Sequence, residues 1–278
     1  MVVKADLHTH TTCSDGVFSP YELVKKCAMA GLSIISITDH DSVDAFPDAI
    51  EYGKEFGVEV IPGVELSAAL DDKDIHILGY FLDYKNQTFL DHLKFFRLER
   101  IKRAERIVDK LNSLNVPLRI ESVMERAGVG SVGRPHIATA LLEEGFTSTY
   151  QEAFDKLIGN GCPAFEKKFQ VSPFEAVKLI SSAGGLSFLA HPGRYTTDEM
   201  VQHLIKTGLD GIEVIHPSHT QERVAHYRGV VSEYFLLESG GSDFHGGKKN
   251  DDVVLGSYYV DESRVTMMKR RLFSTNSK

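Results

Sequence analysis

The chain has 278 residues, with 31 Lys+Arg against 39 Asp+Glu for a formal charge of −8, and it carries 12 His, 3 Cys and no Trp. At 42% hydrophobic and 25% charged, it can bury a sizeable core, which excludes disorder as its main state. The acidic balance excludes a coat for duplex DNA that works through bulk positive charge.

A short apolar run at residues 2–5 leads into Asp6-Leu7-His8-Thr9-His10. Cys13 and Cys27, with Cys162 much later, form neither a CxxC pair nor an even disulfide framework. The N-terminal MVVKADLHTH has no apolar leader run, and no stretch of 18 apolar residues occurs, so a cytoplasmic protein without membrane contact is expected. Ser19-Pro20-Tyr21-Glu22 reads as a helix cap, a Pro at the first helical position and a capping-box Glu. Gly31 ends that helix, and a buried-type strand at 32–38 runs into Asp39-His40-Asp41. Strands at 58–61, continuing through Pro62-Gly63 to Val64-Glu65, and at 75–80 follow. Ser172-Pro173-Phe174-Glu175 repeats the cap, and its helix closes at Gly184-Gly185 before a strand at 186–190 that ends in His191. Strands at 209–215 and 235–237 lead to His216 and to Ser242-Asp243-Phe244-His245.

Cap, helix, glycine, strand and polar strand end together form a β/α unit, and the reading is an α/β fold, a (β/α) barrel of about seven strands. Between residues 85 and 168 the alternation stops. Phe89, Leu93, Phe96, Ile101, Ala104, Val108 and Leu111 keep helical spacing over 88–114, and shorter helical patterns follow at 120–127, 135–144 and 150–158. The expected organisation is a barrel of residues 1–84 and 169–278 with a helical insertion at 85–168. Within the insertion, Arg97, Arg100, Lys102, Arg103 and Arg106 read either as a solvated face interleaved with Glu99 and Glu105 or as a basic wall for an anionic substrate. His92, His203 and His226 fall in helical stretches and read as surface residues.

In parallel α/β folds the active site lies at the strand carboxyl ends, and seven of the 12 histidines lie at or beside such ends. His8 and His10 are two apart on a strand, so both imidazoles face one side. With His40, Glu65, His76, His191, Asp243 and His245 they offer the imidazole and carboxylate set that divalent transition metals take.

These residues carry a resemblance. Asp6-Leu-His8-Thr-His10, Ser14-Asp15-Gly16, Thr38-Asp39-His40-Asp41, Pro62-Gly63-Val64-Glu65, Ile75-His76-Ile77-Leu78-Gly79, Ala190-His191-Pro192-Gly193-Arg194 and Gly241-Ser242-Asp243-Phe244-His245 occur in this order over residues 6–245. They resemble the PHP (polymerase and histidinol phosphatase) family. The resemblance implies a distorted (β/α)7 barrel, with the insertion bending over its mouth as a substrate cap. The insertion, the His-Pro-Gly-Arg-Tyr string and Ser218-His219 resemble the branch of phosphatases acting on AMP and 3′,5′-bisphosphonucleotides and of 5′→3′ exoribonucleases.

Three metal ions per chain are implied: one at His8, His10, Glu65 and Asp243, one at Glu65, His76 and His191, and one at Asp15, His40 and His245. Mn, Zn, Fe and Mg are the candidates, and the carboxylate of Asp15 favours Mn²⁺ or Mg²⁺ at the third site. Asp6, Asp39 and Asp41 would orient ligands from behind, and Asp41 is also a catalytic candidate. The expected chemistry is hydrolysis of a nucleotide phosphomonoester by a hydroxide bridging two ions, needing no Ser or Cys nucleophile. Arg194 and Arg134 are the candidate phosphate clamps, with His136 beside the substrate. Ser218 and His219 would contact the phosphate, and His219 would protonate the leaving oxygen. His216 reads as a loop histidine. The alternatives are a 5′→3′ exoribonuclease on short RNA, a histidinol-phosphate phosphatase and a non-catalytic metal-binding module. The expected partner is a small phosphorylated substrate or short RNA, not duplex DNA.

Overall fold

A computed structural model of the chain describes residues 3–70, 73–128, 130–167, 169, 171–193, 196–247 and 253–275. In chain order it begins β1 (Lys4–Thr9), α1 (Pro20–Met29), β2 (Ile34–Ile37), α2 (Phe46–Phe56), β3 (Glu59–Leu70) and β4 (Lys73–Tyr80). The helices α3 (Gln87–Ser113), α4 (Ile120–Ala127), α5 (Arg134–Glu143) and α6 (Tyr150–Ala153) follow, the last running into a π-helical turn at Phe154–Ile158. The chain then alternates again through α7 (Pro173–Ser182), β5 (Leu186–Leu189), α8 (Asp198–Thr207), β6 (Gly211–Ile215), α9 (Gln221–Glu233) and β7 (Leu237–Gly240). It closes with β8 (Val260–Asp261) and α10 (Glu262–Thr275). Among the described residues no helix is long and apolar enough to cross a membrane.

The capping boxes form as read. Ser19 and Ser172 accept from the backbone N–H of Glu22 and Glu175, whose carboxylates accept in return from the Ser backbones. Each cap stabilises its helix by about 1 kcal/mol.

The eight strands make one sheet in the order β7-β6-β5-β4-β3-β2-β1-β8. It curls into a nearly closed barrel. Beyond the end of β7, the Asp243 N–H donates to His8 O (2.9 Å) and the His10 N–H to Phe244 O (3.0 Å). Gly241 permits this approach, since a Cβ there would lie 2.5 Å from the His8 backbone nitrogen and 2.8 Å from Asp6 Oδ1. The sheet differs from a seven-stranded parallel one in two ways. The two-residue β8 pairs antiparallel with the start of β1, and β4 runs antiparallel to both β3 and β5. The mouth formed by the carboxyl ends of the parallel strands therefore meets β4 in its first half, where His76 lies.

Two apolar cores meet on α3. Phe89, Leu93 and Phe96 pack with Val64, Leu66 and Ile77 of the barrel. Farther along the same helix, Ala104, Ile107, Val108 and Leu111 pack with α4 and α5 through Val123, Ile137 and Leu141. A helix of 27 residues is about 40 Å long at 1.5 Å per residue, enough to join the two cores.

Candidate metal centre

The mouth gathers side chains from six strands and the loops that follow them. Glu65 is at its hub and is 1% exposed. Its Oε2 lies 3.3 Å from His8 Nε2, 3.3 Å from His10 Nε2 and 3.1 Å from His40 Nδ1. Its Oε1 lies 2.6 Å from His76 Nδ1 and 3.0 Å from His191 Nε2. Five imidazoles thus face one carboxylate. Asp243 Oδ1 is 3.3 Å from His8 Nε2 and 3.1 Å from His10 Nε2. Asp15 Oδ1 is 3.2 Å from His245 Nε2 and 4.0 Å from His40 Nε2.

Three groups could each hold an ion: His8 with His10, Glu65 and Asp243; His10 with Asp15, His40 and His245; and His40 with Glu65 and His76. His10 and His40 stand between two groups each, and a neutral imidazole has one lone pair, so each serves one ion.

The donor set fits cations. Both ring nitrogens of His10, Asp15 Oδ1 and His40 Nδ1 are buried without a hydrogen-bond partner, an arrangement that costs free energy unless something binds there. The electrostatics agree. Burial alone would raise the Glu65 carboxyl, but His40, His76 and His8 hold it well below the usual carboxylate range. Burial opposes ionisation of Asp243 too, and His8 and His245 outweigh it. Backbone strain collects here as well: Asp41, His191 and Asp243 adopt φ of 51°, 24° and 51°.

Behind the cluster, Asp39 accepts from Thr11 N (2.8 Å), Thr11 Oγ1 (2.6 Å) and Ser14 Oγ (2.6 Å), which orders the loop carrying Asp15. Asp6 Oδ1 accepts from His8 N (3.2 Å) and Ser242 N (2.9 Å), tying β1 to the β7 end.

Three expected roles meet a different geometry. Asp41, taken as catalytic, gives Oδ1 to Ser67 N (2.8 Å) and Oδ2 to Arg100 Nε (2.8 Å) and Nη2 (2.6 Å). It anchors α3 to the strand ends. His136, taken as substrate-binding, is buried, and its Nδ1 accepts from Gly133 N (3.0 Å), capping α5. Ser218 faces His216 rather than His219, with its Oγ 2.8 Å from His216 Nδ1. His219 Nδ1 lies 2.9 Å from Val214 O, and its Nε2 is buried and partnerless. Arg194 lies outside the described residues.

The sequence reading missed two residues. Glu213 on β6 is fully buried, with Oε1 2.9 Å from His8 Nδ1 and Oε2 2.6 Å from His191 N. His216 lies in the loop after β6, as read, but beside the centre, with its Nε2 3.6 Å from Asp243 Oδ2.

A cleft of about 600 Å³ opens over Asp15, His40 and His76. Its far wall carries Arg100, Arg103, Arg134 and Lys167 with Tyr150, Phe154 and Phe165. Arg134 donates to Asn160 Oδ1 (3.0 Å) and stands 5.9 Å and 5.8 Å from the ring centres of Phe154 and Phe165. Burial, with Arg134 and Arg100 close by, pulls the Arg103 guanidinium down to about 10. The basic run on α3 is therefore divided: Arg100 and Arg103 face the cleft, while Arg97, Lys102 and Arg106 pair with Asp44, Glu99 and Glu166.

Comparison with known proteins agrees with this geometry. A family model described as PHP domain matches residues 6–161. A 5′-3′ exoribonuclease of Haemophilus influenzae is 35% identical over 88% of this chain and 91% of its own. A 3′,5′-nucleoside bisphosphate phosphatase of Chromobacterium violaceum is 29% identical over 91% of each. The crystal structure of a Bifidobacterium adolescentis protein, assigned as a metal-dependent phosphoesterase, superposes with a TM-score of 0.89 at 30% identity over 96% of both chains.

Proposed function

The chain belongs to the PHP domain family, and from that premise we propose that it is a metal-dependent phosphoesterase that hydrolyses phosphomonoesters of nucleotides, of the AMP or 3′,5′-bisphosphate type. The observation that carries this reading is the cleft. Its volume, about 600 Å³, lies within the roughly 300–1,000 Å³ of small-molecule sites. It joins the candidate metal centre to a wall that is cationic and aromatic, matching a ligand with phosphates at one end and a base at the other.

His8, His10, Asp15, His40, Glu65, His76, His191, Asp243 and His245 would hold up to three divalent ions. When bound, these would activate water near neutral pH and neutralise charge on the phosphoryl oxygens. The protein supplies the rest by position. Arg134 is already oriented by Asn160 and two aromatic rings, so its planar fork meets a phosphate with little loss of freedom. Arg103 and Arg100 add to a positive field that draws anions into the cleft. His219 donates from Nδ1 to a carbonyl, and burial with His216 nearby lowers its basicity. We therefore assign it as a neutral acceptor at Nε2 rather than the acid for the leaving oxygen. Arg194 keeps its proposed place as a phosphate clamp on the His191-Pro192-Gly193-Arg194 motif alone.

A second reading, 5′→3′ trimming of short RNA, is favoured by Arg100 and Arg103 facing the cleft and by the Haemophilus influenzae relative. The test is release from 3′-phosphoadenosine 5′-phosphate, AMP, histidinol phosphate and a 5′-phosphorylated RNA trimer by the Mn²⁺-loaded protein. Phosphate release from the first two supports the nucleotide reading, and mononucleotide release from the trimer alone transfers it to RNA. Turnover of histidinol phosphate alone, or of none of the four with metal bound, ends both.

A further inference from the structure

β6 lends no ligand to the three candidate groups, yet two of its side-chain contacts reach into them. Glu213 is an acid inside an otherwise apolar strand, 0% exposed. Its two oxygens meet two donors, the His8 ring at Nδ1 (2.9 Å) and the His191 backbone N–H (2.6 Å). A carboxylate only accepts, so His8 carries a proton on Nδ1, and its Nε2 points at the space beside Glu65 and Asp243 where a bound cation would take its lone pair. The second bond holds His191 at its strained φ of 24°.

Just past the strand, the Ser218 N–H lies 3.1 Å from His216 Nδ1. A backbone N–H only donates, so His216 Nδ1 is the acceptor in this contact. His216 Nε2 is turned toward Asp243 Oδ2 at 3.6 Å, beyond hydrogen-bond distance, and is buried without a hydrogen-bond partner.

We propose that Glu213 positions the metal cluster from behind: it sets the His8 tautomer through one oxygen and holds the His191 backbone through the other. This rests on the cluster being a metal centre. Partners of this kind behind metal ligands govern affinity by about 10–100-fold.

Glu213→Gln is the discriminating variant. It keeps the shape but has one acceptor for two donors, so either His8 or His191 loses its bond. The full chain, stripped with chelator, is titrated with Mn²⁺ by calorimetry, with bound metal counted by mass spectrometry. One class of sites should weaken about 10–100-fold in E213Q. The circular dichroism of the stripped variant should match that of the wild type. In the wild-type protein, histidine ¹⁵N spectra should show His8 protonated at Nδ1, a measurement that needs no variant. Wild-type Mn²⁺ binding with an unchanged E213Q titration, or a His8 proton on Nε2, overturns the inference. No binding by the wild type overturns the metal centre itself.

Discussion

Arg100 joins three parts of the molecule through one guanidinium. It donates to Asp41 Oδ2 twice (2.8 and 2.6 Å), to Ser67 Oγ (2.8 Å) and to Val132 O (3.4 Å). Asp41 follows His40, and Ser67 lies two residues beyond Glu65. The pair is largely out of water, at 10% and 2% exposure. Arg100→Met keeps the length and apolar stem but strips the Asp41 carboxylate of its guanidinium, and breaking a buried pair from one side costs about 3–5 kcal/mol. Asp41→Asn suits the left-handed backbone at that position (φ 51°), keeps an acceptor for Ser67 N and costs about 1–3 kcal/mol. The double variant leaves no charge behind and should lie within about 2 kcal/mol of wild type, because apolar replacement of a whole buried pair is often neutral. The single effects should therefore overshoot the double by at least about 2 kcal/mol. Urea unfolding at fixed Mn²⁺ measures this. With a slope of about 3 kcal/mol per molar, R100M moves the midpoint down by about 1–1.7 M. Strict additivity across the cycle would refute the clamp.

Chelation should abolish phosphoester hydrolysis and lower the unfolding midpoint, since Mn²⁺ at a hundredfold its Kd adds about 2.7 kcal/mol per site; coincident melting curves with and without chelator would remove the metals. Arg134→Ala should cost about 1.5–3 kcal/mol in kcat/KM, roughly 10–150-fold, with metal content unchanged, and Arg134→Lys should restore little of it because the planar fork is lost. Burial pushes the Cys13 thiol up to about 11 and raises that of Cys27, so iodoacetamide at pH 8 should label half-buried Cys162 first. Labelling of Cys13 before Cys162, read by peptide mass spectrometry, would contradict this.

The helix caps at Ser19 and Ser172 and the long helix α3 were legible because their signals are local: a side chain three residues from its partner, and a repeat every turn. The nine candidate ligands were legible for a related reason, since strand ends bring distant polar residues to one mouth. The direction of β4 was not, because alternating apolar residues look the same from either end. Nothing local marks Asp41 as the partner of Arg100, 59 residues away. His136 has a local role that its sequence position did not announce, the cap of α5. Glu213 did leave a signal. An acid in Gly211-Ile212-Glu213-Val214-Ile215 cannot be buried without donors waiting for it, so its position alone called for buried partners. His216 could be placed only once Ser218 and Asp243 were seen on either side of it.

The continuous helix α3, seated in the barrel core at one end and in the cap core at the other, bears on how substrate enters and product leaves. A lid needs a joint, and here the helix is unbroken from Gln87 to Ser113, with Arg100 fastened to the strand ends near its middle. Swinging the cap away from the mouth would bend that rod and part the clamp at once. If the chain acts on nucleotides as proposed, passage would be lateral, along the open cleft, and selection would depend on what fits between its walls. Turnover should then be limited by escape of the anionic product along this cationic channel, not by the opening of a door.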